Sequence, residues 1–232
     1  MKVLVTDELS QEGLDMLTKG SGIQVDVRPK LAHEELLKMI GEYDALIVRS
    51  GTKVTAEVIE AGKRLRVVGR AGVGVDNVDV EAATRRGVLV MNTPAANIIS
   101  AAEHTMAMML TLARNIPRAD ASVKAGKWER SKFTGVELMG KTLGIVGIGR
   151  VGGEVAKRAK AFQMKLVGYD PYISQELAVK LGVRILPLEK VLEEADFITI
   201  HTPLTPTTHH LIGREQLGLM RPSAFVVNCA RG

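Results

Sequence analysis

The residues with the clearest chemical potential are Gly147-Ile148-Gly149-Arg150-Val151-Gly152, a G-x-G-x-x-G string. It directly follows the apolar run Leu143-Gly144-Ile145-Val146 and opens an amphipathic stretch over residues 151–161. In a strand-turn-helix setting, Gly147 makes the tight turn, Gly149 lets the backbone approach a pyrophosphate, and Gly152 packs helix against strand. The pyrophosphate then rests on N–H groups at the helix N-terminus. Asp170 stands 18 residues beyond Gly152, at the end of Lys165-Leu166-Val167-Gly168-Tyr169. An acid there accepts hydrogen bonds from ribose hydroxyls and repels a 2′-phosphate, so the expected cofactor is NAD. The rival reading of this glycine loop is a methyltransferase.

Open α/β sheets place ligands beyond the carboxyl ends of their strands, so anion contacts are expected at the other strand ends. Arg70-Ala71-Gly72-Val73-Gly74 follows one strand and reads either as an anion nest of backbone N–H groups or as a plain glycine turn. Arg49 ends another strand, and Arg231 follows the last one in Asn228-Cys229-Ala230-Arg231-Gly232. A guanidinium at either place suits a carboxylate. Removing a hydroxyl proton also requires a base. The five histidines are His33, His104, His201, His209 and His210, and none has a partner acid evident in sequence. His201 ends a strand and is as readily structural as catalytic.

These residues need a scaffold, and 232 residues at roughly 150 per domain suggest two compact units. Short apolar runs over residues 3–6, 23–27, 45–48, 66–69 and 88–91 alternate with amphipathic stretches such as 10–17 and 33–40, with Ser10 as an N-cap. A second series of strands is expected over 143–146, 165–169, 183–185, 197–200 and 224–228. Between the two series, Ile98, Ile99, Ala102, Met106, Met109, Leu110 and Ala113 follow a helical period. The fold class is therefore α/β, with two doubly wound parallel sheets: residues 1–93, ending in the Thr93-Pro94 turn, and residues 94–232.

Composition narrows the partners. Aromatic residues are 3% of the chain, and the excess charge of +5 lies wholly after residue 96, which favours a small anionic ligand over nucleic acid. The strongly apolar stretch 105–113 is too short to span a membrane, for which about 20 residues are needed. Cys229 is the only cysteine, so neither an intrachain disulfide nor a cysteine-built zinc site is expected, and no metal is assigned. With an amino terminus that turns acidic at Asp7, the expected compartment is the cytoplasm.

Taken together, the motifs resemble the D-isomer-specific 2-hydroxyacid dehydrogenases essentially from end to end. The resemblance is carried by Gly147 to Gly152, His201-Thr202-Pro203-Leu204 and Val227-Asn228-Cys229-Ala230-Arg231-Gly232. More specific strings are Val67-Val68-Gly69-Arg70-Ala71-Gly72-Val73-Gly74-Val75-Asp76-Asn77-Val78-Asp79 and Gly126-Lys127-Trp128-Glu129-Arg130-Ser131-Lys132-Phe133. They favour the branch of the family that acts on a phosphorylated glycerate. The resemblance implies a flavodoxin-like substrate domain followed by a Rossmann NAD-binding domain that lacks its C-terminal part. The implied reaction is oxidation of 3-phospho-D-glycerate to 3-phosphohydroxypyruvate by NAD, the first step of serine synthesis. Glyoxylate or hydroxypyruvate reduction, and NAD sensing without turnover, are the alternatives.

By position, Arg231 matches the family's catalytic arginine, Val73 and Gly74 its carboxylate-facing turn, and Arg49 and Asn97 its substrate contacts. Arg130 matches a phosphate contact of a kind that reaches a neighbouring subunit. Arg150, Val151, Asp170, Pro171, Thr202, Thr208 and Cys229 match cofactor contacts. Val73 departs from relatives that place threonine there, which removes a side-chain hydrogen bond. The family's paired glutamate and histidine fall after the Arg-Gly pair, so the resemblance implies an acid–base pair outside residues 1–232 and impaired turnover by these residues alone. It also implies a homodimer or homotetramer, with residues 98–113 and the Trp128 segment as the interface.

Overall fold

The computed structural model describes residues 1–19 and 22–230. The chain divides into two units, Met1–Asn97 and Ile98–Gly232. This division lies beyond the Thr93-Pro94 turn because Thr93 is still tied to the first unit, its N–H donating to Gly72 O at 3.0 Å.

In the first unit β1 (Lys2–Val5), β2 (Gln24–Val27), β3 (Ala45–Val48), β4 (Val67–Arg70) and β5 (Leu89–Asn92) form a parallel sheet in the order β2-β1-β3-β4-β5. This is the flavodoxin-like order. Helix α1 (Gln11–Thr18) begins at Ser10, whose Oγ accepts the N–H of Gly13 at 3.3 Å. It is followed by α2 (His33–Met39), α3 (Ala56–Ala61) and α4 (Val80–Arg85). Thr55 and Asp79 cap α3 and α4 by accepting the N–H groups of Val58 and Ala82. The main core, with Leu4, Leu36, Ile40, Leu46, Val58, Ile59 and Val68 buried, lies between the sheet and α2, α3 and α4.

The second unit opens with α5 (Ile98–Ala113) and α6 (Ile116–Lys124). Then come β6 (Thr142–Val146), α7 (Arg150–Ala161), β7 (Lys165–Tyr169), α8 (Gln175–Leu181), β8 (Arg184–Ile185), α9 (Leu188–Glu194), β9 (Phe197–Ile200), α10 (Arg214–Leu219) and β10 (Phe225–Asn228). The parallel sheet order is β10-β9-β6-β7-β8, the Rossmann arrangement through its fifth strand. Ala102, Met106 and Met109 of α5 and Val155, Ala156 and Ala159 of α7 share one core with Leu143, Ile145 and Phe197 of the sheet. The methionines of α5 that face inward are thus core residues. Sequence periodicity missed α6, which begins with Pro117 in its first turn and buries none of its residues. Among its nine residues only Ile116 and Val123 are large and apolar, too few to stand out in the sequence.

Register sets the functional geometry. Val146 pairs with Tyr169 and with Ile200, and Ile200 with Asn228. The residues that follow, Gly147, Asp170, His201 and Cys229, therefore emerge side by side at one end of the sheet.

Candidate active site

The reversal of strand order in the second sheet falls between β6 and β9, and Gly147 lies there. Its φ is +88°, a left-handed value that favours glycine. A Cβ on Gly147 would lie 2.9 Å from the carbonyl carbon of His201 and 3.1 Å from the Thr202 methyl, so the turn is seated against the end of β9. At Gly152 a Cβ would collide with the carbonyl oxygen of Gly147. Gly149 is the opposite case, since a Cβ there would meet nothing within 4 Å. It is the N-cap of α7, no side chain caps the helix, and its first backbone bond runs from Gly153 N–H to Gly149 O at 2.9 Å. Two glycines are thus required by packing, and the third leaves an open cradle before a helix N-terminus, which fits a pyrophosphate.

Gly152→Ala is accordingly expected to cost about 1–3 kcal/mol of stability, because the colliding atom is backbone and cannot rotate away. The displaced loop should also weaken NADH binding. Thermal unfolding with and without NADH measures both, and a variant that melts and binds as the wild type would refute this packing role.

Asp170 closes the other side of the loop. Its Oδ2 accepts the N–H of Ile148 at 2.7 Å and its Oδ1 the N–H of Tyr172 at 2.8 Å. Each carboxylate oxygen retains a second lone pair for a ribose hydroxyl. The acid therefore holds the glycine loop, a role the motif alone did not reveal. Pro171 follows it, exposed, and Arg150 and Val151 form the first turn of α7. Cys229 is partly buried against the core at the end of β10. The Thr208 hydroxyl is engaged within its own loop, donating to Pro203 O and accepting the N–H of Thr205 at 2.8 Å. Thr208 thus shapes the segment after β9. Arg231 lies outside the described residues.

His201 bonds back to its own strand. Its Nε2 lies 2.8 Å from the Oγ1 of Thr199, which is fully buried. Burial pushes its pKa down to about 4, so the ring is neutral near pH 7. His209 and His210 stack on each other in an exposed loop, with ring centroids 3.7 Å apart.

In the first unit, β1 and β3 flank the corresponding switch, and Arg49 leaves β3 beside it. Its Nη1 donates to Glu8 O at 3.3 Å. The Gly72–Gly74 turn after β4 engages one of its N–H groups internally. Neither glycine has positive φ, and Gly72 N–H is taken by Arg70 O at 2.9 Å. The buried guanidinium of Arg70 instead lies against Gly72, and the Val73 carbonyl accepts from Asn92 Nδ2 at 2.6 Å. Val73 and Gly74 still follow the strand end, and Asn97 closes this unit. Arg130 belongs to the second unit, on a single 3₁₀ turn, Arg130–Phe133, packed beside α6. Sequence reading passed over Asp7, which bonds to the Arg49 backbone, although its place just after β1 was a usable signal.

Comparison with known proteins agrees with this geometry. Residues 106–232 match the model of the D-isomer specific 2-hydroxyacid dehydrogenase NAD binding domain. The whole chain is 54% identical over 233 residues to the D-3-phosphoglycerate dehydrogenase of Methanocaldococcus jannaschii, and it spans 44% of that relative's length. Among solved structures, a Thermus thermophilus protein superposes with a TM-score of 0.91 at 40% identity, covering 100% of this chain and 74% of its own. The Aquifex aeolicus D-lactate dehydrogenase, solved with NAD and lactic acid, gives 0.86 at 32% identity, with 99% and 69% covered. Family and strand-end geometry agree on the cofactor, which is NAD. The chain belongs to the D-isomer-specific 2-hydroxyacid dehydrogenases and carries that family's NAD-binding domain in its second unit.

Proposed function

We propose that the protein containing this chain oxidises 3-phospho-D-glycerate to 3-phosphohydroxypyruvate. The observation that carries this reading is identity of 52–55%, over the whole of this chain, to relatives named D-3-phosphoglycerate dehydrogenase. The first unit, Met1–Asn97, forms the substrate domain and the second, Ile98–Gly232, the NAD-binding domain. NAD, when bound, takes the hydride from the carbon that bears the oxidised hydroxyl. Gly147, Gly149, Gly152 and Asp170 hold and orient it, with Arg150, Val151, Pro171, Thr202, Thr208 and Cys229 as further contacts. Arg231 binds the carboxylate-carbonyl end, and Val73, Gly74 and Asn97 line the substrate. The hydroxyl proton passes to a group other than His201, whose Nε2 is already paired with Thr199.

Arg49 and Arg130 serve the phosphate, because a phosphorylated substrate needs cations beyond those that grip its carboxylate. Replacing either by alanine is expected to raise KM for 3-phosphohydroxypyruvate roughly tenfold, the equivalent of one charge-assisted hydrogen bond. The KM for unphosphorylated hydroxypyruvate should change far less. Steady-state reduction of both keto acids with NADH is the measurement, and equal losses on the two would refute the assignment. A panel that also contains glyoxylate and pyruvate tests the wider reading, with the phosphorylated keto acid expected to have the highest kcat/KM.

The protein acts as a homo-oligomer in the cytoplasm. Supporting the first point, α5 carries few charged residues and is apolar on both faces: Ala102, Met106 and Met109 are buried, while Ile99, Met108 and Leu112 are exposed. Such a helix calls for cover on its outer side. Trp128, 78% exposed, adds to the same candidate interface. Met108→Glu combined with Leu112→Glu should yield a smaller species in sedimentation velocity, and an unchanged mass would place the interface elsewhere.

A further inference from the structure

Asp7 and Asn77 bracket the segment that carries Arg49. Asp7 Oδ2 accepts the N–H of Arg49 at 2.6 Å and the N–H of Thr52 at 3.2 Å. Asn77 Nδ2 donates to the carbonyls of the same two residues, at 2.6 Å for Arg49 and 2.7 Å for Thr52. One side chain thus satisfies both N–H groups and the other both carbonyls, the work that a paired strand does elsewhere.

Further contacts seat the loop from either side. Thr52 Oγ1 donates to Oγ1 of the fully buried Thr6 at 2.9 Å. Gly51 passes so close to the Asp7 carboxylate that a Cβ there would collide with Oδ1. Val54 N–H donates to Asn77 O at 2.8 Å, and Asp79 N–H to Val54 O at 2.8 Å, around the isolated parallel bridge of Val54 with Val78. The loop after β3 and the turn after β4 are thereby joined at the first unit's switch point. Asn77 Oδ1, by contrast, is buried without a hydrogen-bond partner among the described residues, so the side chain's polar role here is the double donation. Neither aspartate, which has no amide protons, nor an apolar residue could make it. Arg49, held at its backbone, keeps an exposed side chain whose one hydrogen bond among the described residues is to the Glu8 carbonyl.

We propose that Asp7 and Asn77 are positioning residues that hold Arg49 for its anion contact, and so set affinity for the phosphorylated substrate without touching it. This rests on the phosphate role of Arg49 proposed above. A long cation is an effective grip only if its backbone is fixed, since a displacement of about 1 Å is enough to lose much of the effect of alignment.

The test uses the natural full-length protein. Asn77→Ala is expected to raise KM for 3-phosphohydroxypyruvate roughly tenfold, with smaller changes in kcat and in KM for hydroxypyruvate. In an Arg49→Ala background it should add nothing. Asp7→Ala should behave like Asn77→Ala, whereas Asp7→Asn, which keeps a carbonyl oxygen as acceptor, should recover most of the affinity. If Asn77→Ala does not fold, Asn77→Ser, which retains a single donor, takes its place. Equal losses in the two Arg49 backgrounds, or an Asp7→Asn no better than Asp7→Ala, would overturn the proposal. If Arg49→Ala leaves both KM values unchanged, the phosphate reading has failed, and amide exchange then decides the clamp. Faster exchange of the Arg49 and Thr52 amides in Asn77→Ala supports it, and unchanged exchange overturns it.

Discussion

Asp170→Ala is expected to weaken NADH binding by roughly ten- to a hundredfold and to destabilise the second unit in the absence of cofactor. The first effect is the loss of hydrogen bonds from ribose hydroxyls to a carboxylate, worth about 1.5–3 kcal/mol each. The second follows from the contacts already present, because the same carboxylate accepts the N–H groups of Ile148 and Tyr172. Its removal takes away the side-chain tie between Ile148 and the end of β7 and leaves the backbone bond from Gly147 N–H to Tyr169 O. Asp170→Asn separates the two effects, since its carbonyl oxygen can keep one backbone bond while the charge is lost. Titration of NADH and NADPH into wild type and both variants, with a thermal melt of each, is the measurement. Wild type should prefer NADH, and alanine should narrow the gap. Equal wild-type affinities would remove the ribose role of Asp170, and a lowered melting temperature with an unchanged NADH-to-NADPH ratio would leave it only the bracing one.

The second large effect is a loss of stability on mild acidification. His201 has a folded pKa of about 4 because burial disfavours its charged form, against about 6.5 unfolded. Between these values the unfolded chain binds a proton that the folded chain does not, so stability falls as pH falls. It is undiminished above about 6.5, about 2 kcal/mol lower by pH 5, and about 3 kcal/mol lower once the folded ring itself protonates near pH 4. Asp26, Asp44 and Asp196 also have lowered pKa values. Their stabilisation is lost only as pH falls toward and below the ordinary carboxylate range near 4, so the interval from pH 7 to 5 lies above them, and the His201→Gln variant identifies the histidine concerned. Urea unfolding across that interval should show a slope in wild type that His201→Gln lacks. A matching slope in the variant would assign the acid sensitivity to another group.

The sequence by itself determined the two sheets, their parallel strands, the cofactor loop and the acid at the end of β7. The signals were local: β-rich runs of four or five residues, a glycine string between strand and helix, and Asp170 one residue past Tyr169. Because β6, β7, β9 and β10 pair in register, whatever follows each strand must meet at one edge, and linear spacing was sufficient to predict it. The helix α6 was not legible, since it offers only Ile116 and Val123 as large apolar residues and carries a proline in its first turn. Three further matters were decided only by the tertiary structure. Thr199 and His201 lie two residues apart, yet only burial on the folded sheet makes their bond and depresses the ring's basicity. The Gly72 N–H is taken by Arg70 O, a bond that the composition of the turn does not reveal. Asp7 and Asn77 stand 42 and 28 residues from Arg49 in the chain, and they converge on its backbone because β1, β3 and β4 are adjacent in the sheet. Hydrogen bonds between distant strand ends follow from strand order, and strand order is set by which apolar faces bury together, information that no single stretch of residues contains.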